Sequence, residues 1–137
     1  MLIVDTGPLV AAADRKDRDH QACADLIELA GPLITTALVI AEAGFLIASR
    51  VGQAGEAALL EDVVAGRLTI YESTDWRRVH ELVEQYADLP LGVTDASVVA
   101  LAERLRATDV ATLDHRHFRV VRPAHVSAFT LRPGRPA

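Results

Sequence analysis

The sequence contains few cysteine, lysine and aromatic residues, and it has no long apolar run. Its 137 residues include one cysteine, one lysine and six aromatic side chains. The single Cys23 excludes an internal disulfide and is typical of a reducing compartment. No secretory or membrane-spanning segment is recognisable, because Asp5 interrupts the first apolar stretch and no later run approaches the length of a span. We therefore expect a cytoplasmic protein with no membrane partner.

The composition favours one domain. Half of the residues are hydrophobic, which is enough for a single compact core in a chain of this length. The sequence contains neither an internal repeat nor a linker. We predict one domain over residues 1–131 and a flexible tail over residues 132–137, where proline and glycine are frequent.

Charge is distributed unevenly along the chain. Residues 1–103 carry 7 basic and 17 acidic side chains, whereas residues 104–137 carry 7 arginines and 2 acids. The basic segment, residues 104–137, could bind phosphate locally, although a formal net charge of −5 would not attract RNA from a distance. A solubilising surface explains the same arginines equally well.

Four carboxylates are unusual because each interrupts or ends a stretch of small and aliphatic residues. They are Asp5, Glu42, Asp95 and Asp114. An ionised carboxylate in apolar surroundings loses much hydration free energy unless a cation or strong donors replace the water. The only lysine, Lys16, lies in a charged segment, and no arginine lies within the four stretches. A hard divalent ion such as Mg²⁺ or Mn²⁺ suits such a set of oxygen ligands.

The spacing of apolar residues predicts strands that alternate with helices. The predicted strands are residues 2–4, 32–35, 68–71 and 110–113, with weaker ones at 120–121 and 129–131. The predicted helices begin at about residue 9 and span about 20–30, 37–50, 53–65, 76–86 and 95–105. Their predicted N-caps are Thr6, Thr36, Thr74 or Asp75, and Thr94. This alternation is typical of a three-layer α/β fold, with a mostly parallel central sheet and helices on both faces.

The predicted fold places the four acids at the same edge of the sheet. Asp5 and Asp114 follow strands, Asp95 opens a helix, and Glu42 lies one to two turns inside another helix. Open α/β sheets bind their ligands at the carboxyl ends of the strands. Several carboxylates at that edge would repel one another, and a metal relieves the repulsion. Phosphodiester hydrolysis uses such an arrangement.

Four short segments around these acids carry a resemblance to a known family. They are residues 4–11, 39–42, 94–96 and 112–118. Their order and spacing resemble PIN-domain ribonucleases, and within them the VapC-type toxins of bacterial toxin–antitoxin pairs, over about residues 1–131. Gly7 departs from the Ser or Asn that this family often has there, so any polar contact from that side chain is absent.

The resemblance implies a PIN-like fold and an endoribonuclease that hydrolyses RNA with metal-activated water. It implies that Asp5, Glu42, Asp95 and Asp114 are the catalytic residues and the ligands of Mg²⁺ or Mn²⁺. It also implies a homodimer that binds a small VapB-type antitoxin, as part of a toxin–antitoxin hetero-oligomer.

Several neighbours of the acids are weaker candidates for substrate contacts. Thr6, Thr94, Ser97 and Thr112 could hold a water or a phosphate oxygen, although helix capping is the preferred interpretation for Thr6 and Thr94. Arg116 could bind a phosphate through its guanidinium group, and a solvated surface arginine is an equal alternative. His115 and His117 resemble a metal-binding pair only superficially, because an oxygen-rich site needs no imidazole.

Two other functions stay open from the sequence. The first is aspartyl-phosphate transfer, as in a phosphatase or a receiver domain, since an Asp after a hydrophobic strand is also found there. Gly7 stands where such a phosphatase would have a second Asp, and no lysine follows Lys16. The second is a catalytically silent PIN-like module that binds RNA or protein, against which the four intact acids argue. Apolar helix faces at residues 38–47 and 57–64 are candidates for a dimer or antitoxin surface.

Overall fold

The structure, a computed structural model, describes residues 1–134 of the chain. Residues 135–137 of the predicted tail lie outside the described residues. Strands and helices alternate along residues 1–134 in this order: β1 (Leu2–Val4), α1 (Thr6–Ala13), α2 (His20–Leu29), β2 (Leu33–Thr36), α3 (Ala37–Arg50), α4 (Gln53–Val64), β3 (Leu68–Tyr71), α5 (Trp76–Gln85), α6 (Val93–Leu105), β4 (Asp109–Ala111), α7 (His115–Val120) and β5 (Thr130–Arg132).

The strands form one parallel sheet in the order β3-β2-β1-β4-β5. Ile3 of β1 pairs with Ile34 of β2 on one side and with Val110 of β4 on the other, so β1 is the central strand. All three residues of β1 are buried, and successive side chains of a strand point to opposite faces. Both faces of the sheet are therefore covered, and the predicted three-layer α/β fold is confirmed. The sheet is more regular than predicted, because every pairing is parallel.

Helix packing fixes the elements that carry the acids. α1 packs against α2 and α3, and α6 packs against α5, α3 and the strands β1 and β2. The short α7 is held by Phe118, which is buried and lies 6.4 Å from Phe129 between ring centroids. Burial of such a ring stabilises by about 2 to 3 kcal/mol, which is enough to fix the orientation of a six-residue helix. Within residues 1–134, no helix is both long enough and apolar enough to cross a membrane.

Two of the predicted N-caps are confirmed and two are wrong. The Thr36 and Asp75 side chains accept hydrogen bonds from the backbone N–H groups of Val39 and Arg78, as predicted. Thr6 is instead the first residue of α1, and Asp5 occupies the N-cap position. Thr94 is the second residue of α6, whose N-cap is Gly92. Asp5 and Gly92 have the extended backbone angles of N-cap residues, so each threonine already lies inside its helix.

Several element boundaries differ from those predicted from the pattern of apolar residues. The first helix begins at Thr6 instead of at about residue 9, and β4 ends at Ala111 instead of at residue 113. The predicted strand at residues 120–121 is wrong, because Val120 ends α7 and Val121 is its C-cap. β-branched residues favour strands only weakly, and the packing of α7 overrides that preference. β5 includes Arg132, the first residue of the predicted tail.

Candidate active site

The four sequence-predicted acids come from four different elements near the carboxyl edge of the sheet. Asp5 directly follows the central strand β1, and its backbone N–H donates to the Ala111 carbonyl of β4 at 2.9 Å. Asp114 lies three residues beyond the end of β4 and is the N-cap of α7. Asp95 lies in the first turn of α6, and Glu42 lies in the second turn of α3. The parallel register of β1 and β4 thus brings together residues that are more than 100 positions apart.

Asp5 is the most buried of the four acids, with 5% of its surface exposed. Its Oδ2 accepts a hydrogen bond from Thr112 Oγ1 at 2.8 Å. Its Oδ1 is buried and has no hydrogen-bond partner among residues 1–134. The pKa of Asp5 is raised from 3.8 to about 7, mainly by burial and then by the negative charges of Asp95 and Glu42, although hydrogen bonding from the Thr6 backbone and the Thr112 hydroxyl acts in the opposite direction. The free protein therefore holds a carboxyl group whose ionised form is poorly compensated.

Asp95, Asp114 and His117 form a tighter group beside Asp5. One ligand atom from each of the three lies within 4.8 Å of the other two. His117 Nδ1 lies 2.8 Å from Asp114 Oδ2 and 3.4 Å from Asp95 Oδ2. The pKa of Asp95 is raised, first by burial and then by Asp114 and Glu42, while its contact with His117 acts in the opposite direction. The contact with His117 only partly offsets the effect of burial on Asp95.

Asp114 is held in place by two backbone hydrogen bonds. Its N–H donates to Thr112 Oγ1 at 3.0 Å, and its Oδ1 accepts from the His117 N–H at 3.1 Å. The Thr112 hydroxyl therefore connects two of the acids, because the same oxygen donates to Asp5. A hydroxyl can donate one hydrogen bond and accept others, so Thr112 can serve both without conflict.

Glu42 lies at the exposed rim of the cluster. Its Oε2 accepts a hydrogen bond from Thr6 Oγ1 at 3.2 Å, a contact that joins α1 to α3. Its charge acts on both Asp5 and Asp95, so it belongs electrostatically to the same group. Thr6 therefore contacts an acid of the cluster, which its predicted role as a helix cap did not require.

The remaining weaker candidates differ in their relation to the site. Ser97 donates to the Thr94 carbonyl at 2.7 Å and lies 3.0 Å from Thr36 Oγ1, so it ties α6 to the start of α3. For the Thr94 side chain, no hydrogen bond is found within residues 1–134. Arg116 is exposed on α7, two residues after Asp114. Of these three residues, only Arg116 is exposed.

The residue that sequence reasoning undervalued is His117. The sequence predicts no internal lysine or arginine partner for the acids, and within the described part of the chain none of the four forms an ion pair with either. The basic group beside them is instead an imidazole. Its spacing of three residues from Asp114 puts both side chains on one face of a helix, a signal that the sequence contains. Its proximity to Asp95 of α6 depends on tertiary packing and has no local signal.

The donor set fits a hard divalent cation. Four carboxylates lie close enough for their charges to interact, and one buried oxygen of Asp5 has no partner within residues 1–134. An ion would supply that oxygen with a partner and offset the repulsion that raises the pKa values of Asp5 and Asp95.

Three comparisons relate the chain to known proteins. Residues 2–123 match the PIN domain family. The chain is 35% identical over 135 residues to ribonuclease VapC26 of Mycobacterium tuberculosis (strain ATCC 25618 / H37Rv), an alignment that covers 96% of this chain and all of the relative. The fold of this chain is similar to that of M. tuberculosis VapC20, a toxin of known crystal structure that cleaves the sarcin-ricin loop. That likeness has a TM-score of 0.74 at 18% identity and covers 80% of this chain and 87% of the other.

Proposed function

Because the chain belongs to the PIN-domain family, among its VapC-type ribonucleases, we propose that it is a Mg²⁺- or Mn²⁺-dependent endoribonuclease and the toxin of a toxin–antitoxin pair. The observation that carries the proposal is the cluster of acids around the buried, half-satisfied carboxylate of Asp5. A buried polar atom without a hydrogen-bond partner is uncommon in a folded protein, and a bound cation would account for the one in Asp5.

The proposed ligands of the ion are Asp5, Glu42, Asp95 and Asp114. Thr112 occupies Oδ2 of Asp5, which leaves Oδ1 as the oxygen available to an ion. When bound, such an ion supplies Lewis-acid activation of a water and neutralises charge on the scissile phosphate. We assign no fixed number of ions to the site.

The neighbouring residues position this set. Thr112 holds Asp5 and Asp114 together, and Thr6 fixes Glu42 at the rim. Burial of Asp5 excludes bulk water from one side of the site, which strengthens every charge interaction there. Arg116 is proposed to bind a phosphate of the RNA that flanks the scissile bond.

The proposed reaction is attack of water on phosphorus, which leaves a 5′-phosphate and a 3′-hydroxyl. The 2′-hydroxyl takes no part in this reaction. A substrate with a 2′-deoxy residue at the cleaved position should therefore still be cut. Loss of cleavage in that substrate alone would favour a mechanism in which the 2′-hydroxyl attacks.

The proposed partners are RNA, a VapB-type antitoxin and a second copy of the chain, in the cytoplasm. Support for a protein partner comes from exposed apolar side chains on two neighbouring helices. Phe45 of α3 is 70% exposed, and Leu60 and Val64 of α4 are 47% and 88% exposed. Such residues are costly to leave in water and are typical of interaction surfaces when they lie close together. Light scattering at micromolar concentration should show a dimer, and a monomer alone would contradict it.

The function is tested by replacing Asp95 with asparagine and measuring cleavage of an RNA substrate in Mg²⁺ and in Mn²⁺. We expect a loss of more than about 100-fold, because even residues that merely orient metal ligands cost 10- to 100-fold when changed. The matched control is Asp88→Asn, an exposed aspartate outside the cluster that should keep full activity.

Three results would contradict the proposal. They are undiminished cutting by the Asp95→Asn protein, resistance of the wild-type activity to excess EDTA, and RNA binding without turnover in any divalent ion. The last result would favour the silent binding module. Circular dichroism of both variants establishes that a lost activity does not come from a lost fold.

A further inference from the structure

The side chain of His117 converges with two carboxylates on a single point. Its Nδ1 lies 2.8 Å from Asp114 Oδ2 and 3.4 Å from Asp95 Oδ2. The imidazole is only 20% exposed, so it belongs to the site and not to the surface. Asp114 Oδ1 is already engaged by the His117 backbone N–H at 3.1 Å, which leaves Oδ2 on the side of the ring.

We propose that His117 Nδ1 is a ligand of the divalent ion, together with Asp95 and Asp114, and that it biases the site toward Mn²⁺ and Zn²⁺ and away from Mg²⁺. The inference rests on the proposed function only in requiring that an ion binds at the acids. It differs from the all-oxygen site that the sequence predicts, because one donor is a nitrogen.

The spacing of the three donor atoms supports a shared ion. Ligand atoms about 2.1 Å from one ion lie about 3.0 Å apart at neighbouring octahedral positions and about 3.4 Å apart at tetrahedral ones. The two measured nitrogen-to-oxygen distances, 2.8 Å and 3.4 Å, are close to these values. The third separation, between the oxygens of Asp95 and Asp114, is within 4.8 Å. Only small side-chain shifts are therefore needed to bind an ion.

The nitrogen donor determines which ion is favoured. Imidazole suits Zn²⁺ and other transition metals, whereas Mg²⁺ prefers oxygen ligands and gives up its waters reluctantly. A site made only of carboxylates has a weak preference for Mn²⁺ and Zn²⁺ over Mg²⁺. Replacing one oxygen by the His117 nitrogen should therefore stabilise bound Mn²⁺ and Zn²⁺ while contributing little to bound Mg²⁺.

The competing interpretation is that His117 is a positive charge that neutralises Asp95 and Asp114 without touching the ion. The two interpretations predict opposite effects when the ring is removed. If His117 is a ligand, the His117→Ala protein binds Mn²⁺ and Zn²⁺ more weakly. If it is only a cation, its loss removes a repulsion, and all three ions bind equally well or more tightly.

The experiment measures metal binding by the full chain and needs no activity assay. Metal-free wild type and His117→Ala are titrated with Mn²⁺ by electron paramagnetic resonance, and with Zn²⁺ and Mg²⁺ by competition against bound Mn²⁺. We expect His117→Ala to weaken Mn²⁺ and Zn²⁺ binding at least about tenfold and to change Mg²⁺ binding less than about threefold. The matched control is His80→Ala, an exposed histidine of α5 that pairs with Glu84 and should leave all three affinities unchanged.

A second measurement needs no variant and so does not depend on the variant folding. Pulsed electron paramagnetic resonance of Mn²⁺ bound to wild-type protein labelled with ¹⁵N-histidine should show coupling of the ion to a histidine nitrogen. Three results would overturn the assignment of His117 as a ligand and leave the proposed function standing. They are bound Mn²⁺ without that coupling, coupling that persists in His117→Ala, and unchanged Mn²⁺ affinity in that variant. Absence of any Mn²⁺ binding to wild type would overturn the proposed metal-dependent function as well.

Discussion

Replacing Asp5 with asparagine should stabilise the metal-free protein at pH 8 but not at pH 4. Burial and the charges of Asp95 and Glu42 raise the pKa of Asp5 from 3.8 to about 7. A carboxyl group with a raised pKa binds more protons in the folded state than in the unfolded state. The free energy of unfolding therefore falls as the pH rises from about 4 to about 7, and it levels off above that. Asparagine carries no charge at any pH, so the free energy of unfolding of the variant does not show this fall.

The size of the effect follows from the shift in pKa. One pKa unit corresponds to about 1.4 kcal/mol, so a shift of about three units corresponds to about 4 kcal/mol at pH 8. The asparagine amide is also buried and adds a cost, but that cost does not depend on pH. The quantity to measure is thus the difference in stability between variant and wild type at pH 8, minus the same difference at pH 4. For a domain of this length, about 4 kcal/mol corresponds to a change in Tm of about 10 to 15 °C.

The assay is urea denaturation followed by circular dichroism, in the presence of a chelator, at pH 4, 6 and 8. Asp88→Asn, which changes an exposed aspartate, is the matched control and should follow wild type at every pH. A difference between Asp5→Asn and wild type that stays constant within about 1 kcal/mol over this range would refute the reasoning. It would mean that Asp5 is well compensated in the folded protein and that its buried oxygen creates no demand for a cation.

Three further predictions concern the ion, the RNA and the fold. Millimolar Mg²⁺ or Mn²⁺ should raise the Tm of wild type at pH 8, and a thermal-shift rise of the same size in Asp5→Asn would contradict the proposed ligand. Arg116→Ala should weaken RNA binding to an uncleavable substrate and lower the slope of log affinity against log salt by about one; an unchanged slope would place Arg116 outside the RNA path. Glu103→Ala should destabilise by about 3 kcal/mol in urea denaturation, because Glu103 accepts from Arg78 at 2.6 and 3.0 Å and from the Ala124 N–H at 2.6 Å. A loss below about 1 kcal/mol would mean that water replaces these contacts.

The sequence predicted the fold and the positions of the acids well, because those signals are local. Leu2–Val4 is an uninterrupted apolar run that ends in a carboxylate, and it is indeed the central strand with Asp5 at its carboxyl end. The N-caps Thr36 and Asp75 could be predicted because capping is local: each side chain accepts a hydrogen bond from an N–H only three residues along the chain. The roles of the four acids as catalytic residues and metal ligands stay predictions, as does the domain boundary at residue 131.

The errors arose where a neighbouring residue or a distant element decides the outcome. Thr6 and Thr94 have the chemistry of caps, but Asp5 and Gly92 precede them with extended backbone and occupy the cap position. The contact of His117 with Asp95 could not be predicted from the sequence, because it joins two helices whose relative position depends on the packing of the whole core. Propensity and spacing describe a single element, and tertiary contacts override them.

The pairing of β1 with β4 makes assembly of the proposed active site depend on the completion of folding. Ile3 and Val110 are neighbours in the sheet although more than 100 residues separate them, so their contact closes a very long loop. Closing such a long loop costs conformational entropy before the stabilising contacts have formed, and this slows folding. A folding intermediate that lacks this pairing would keep the proposed metal ligands Asp5 and Asp114 apart, so we expect it not to cut RNA. Activity recovered during refolding should therefore lag behind the recovery of helical signal.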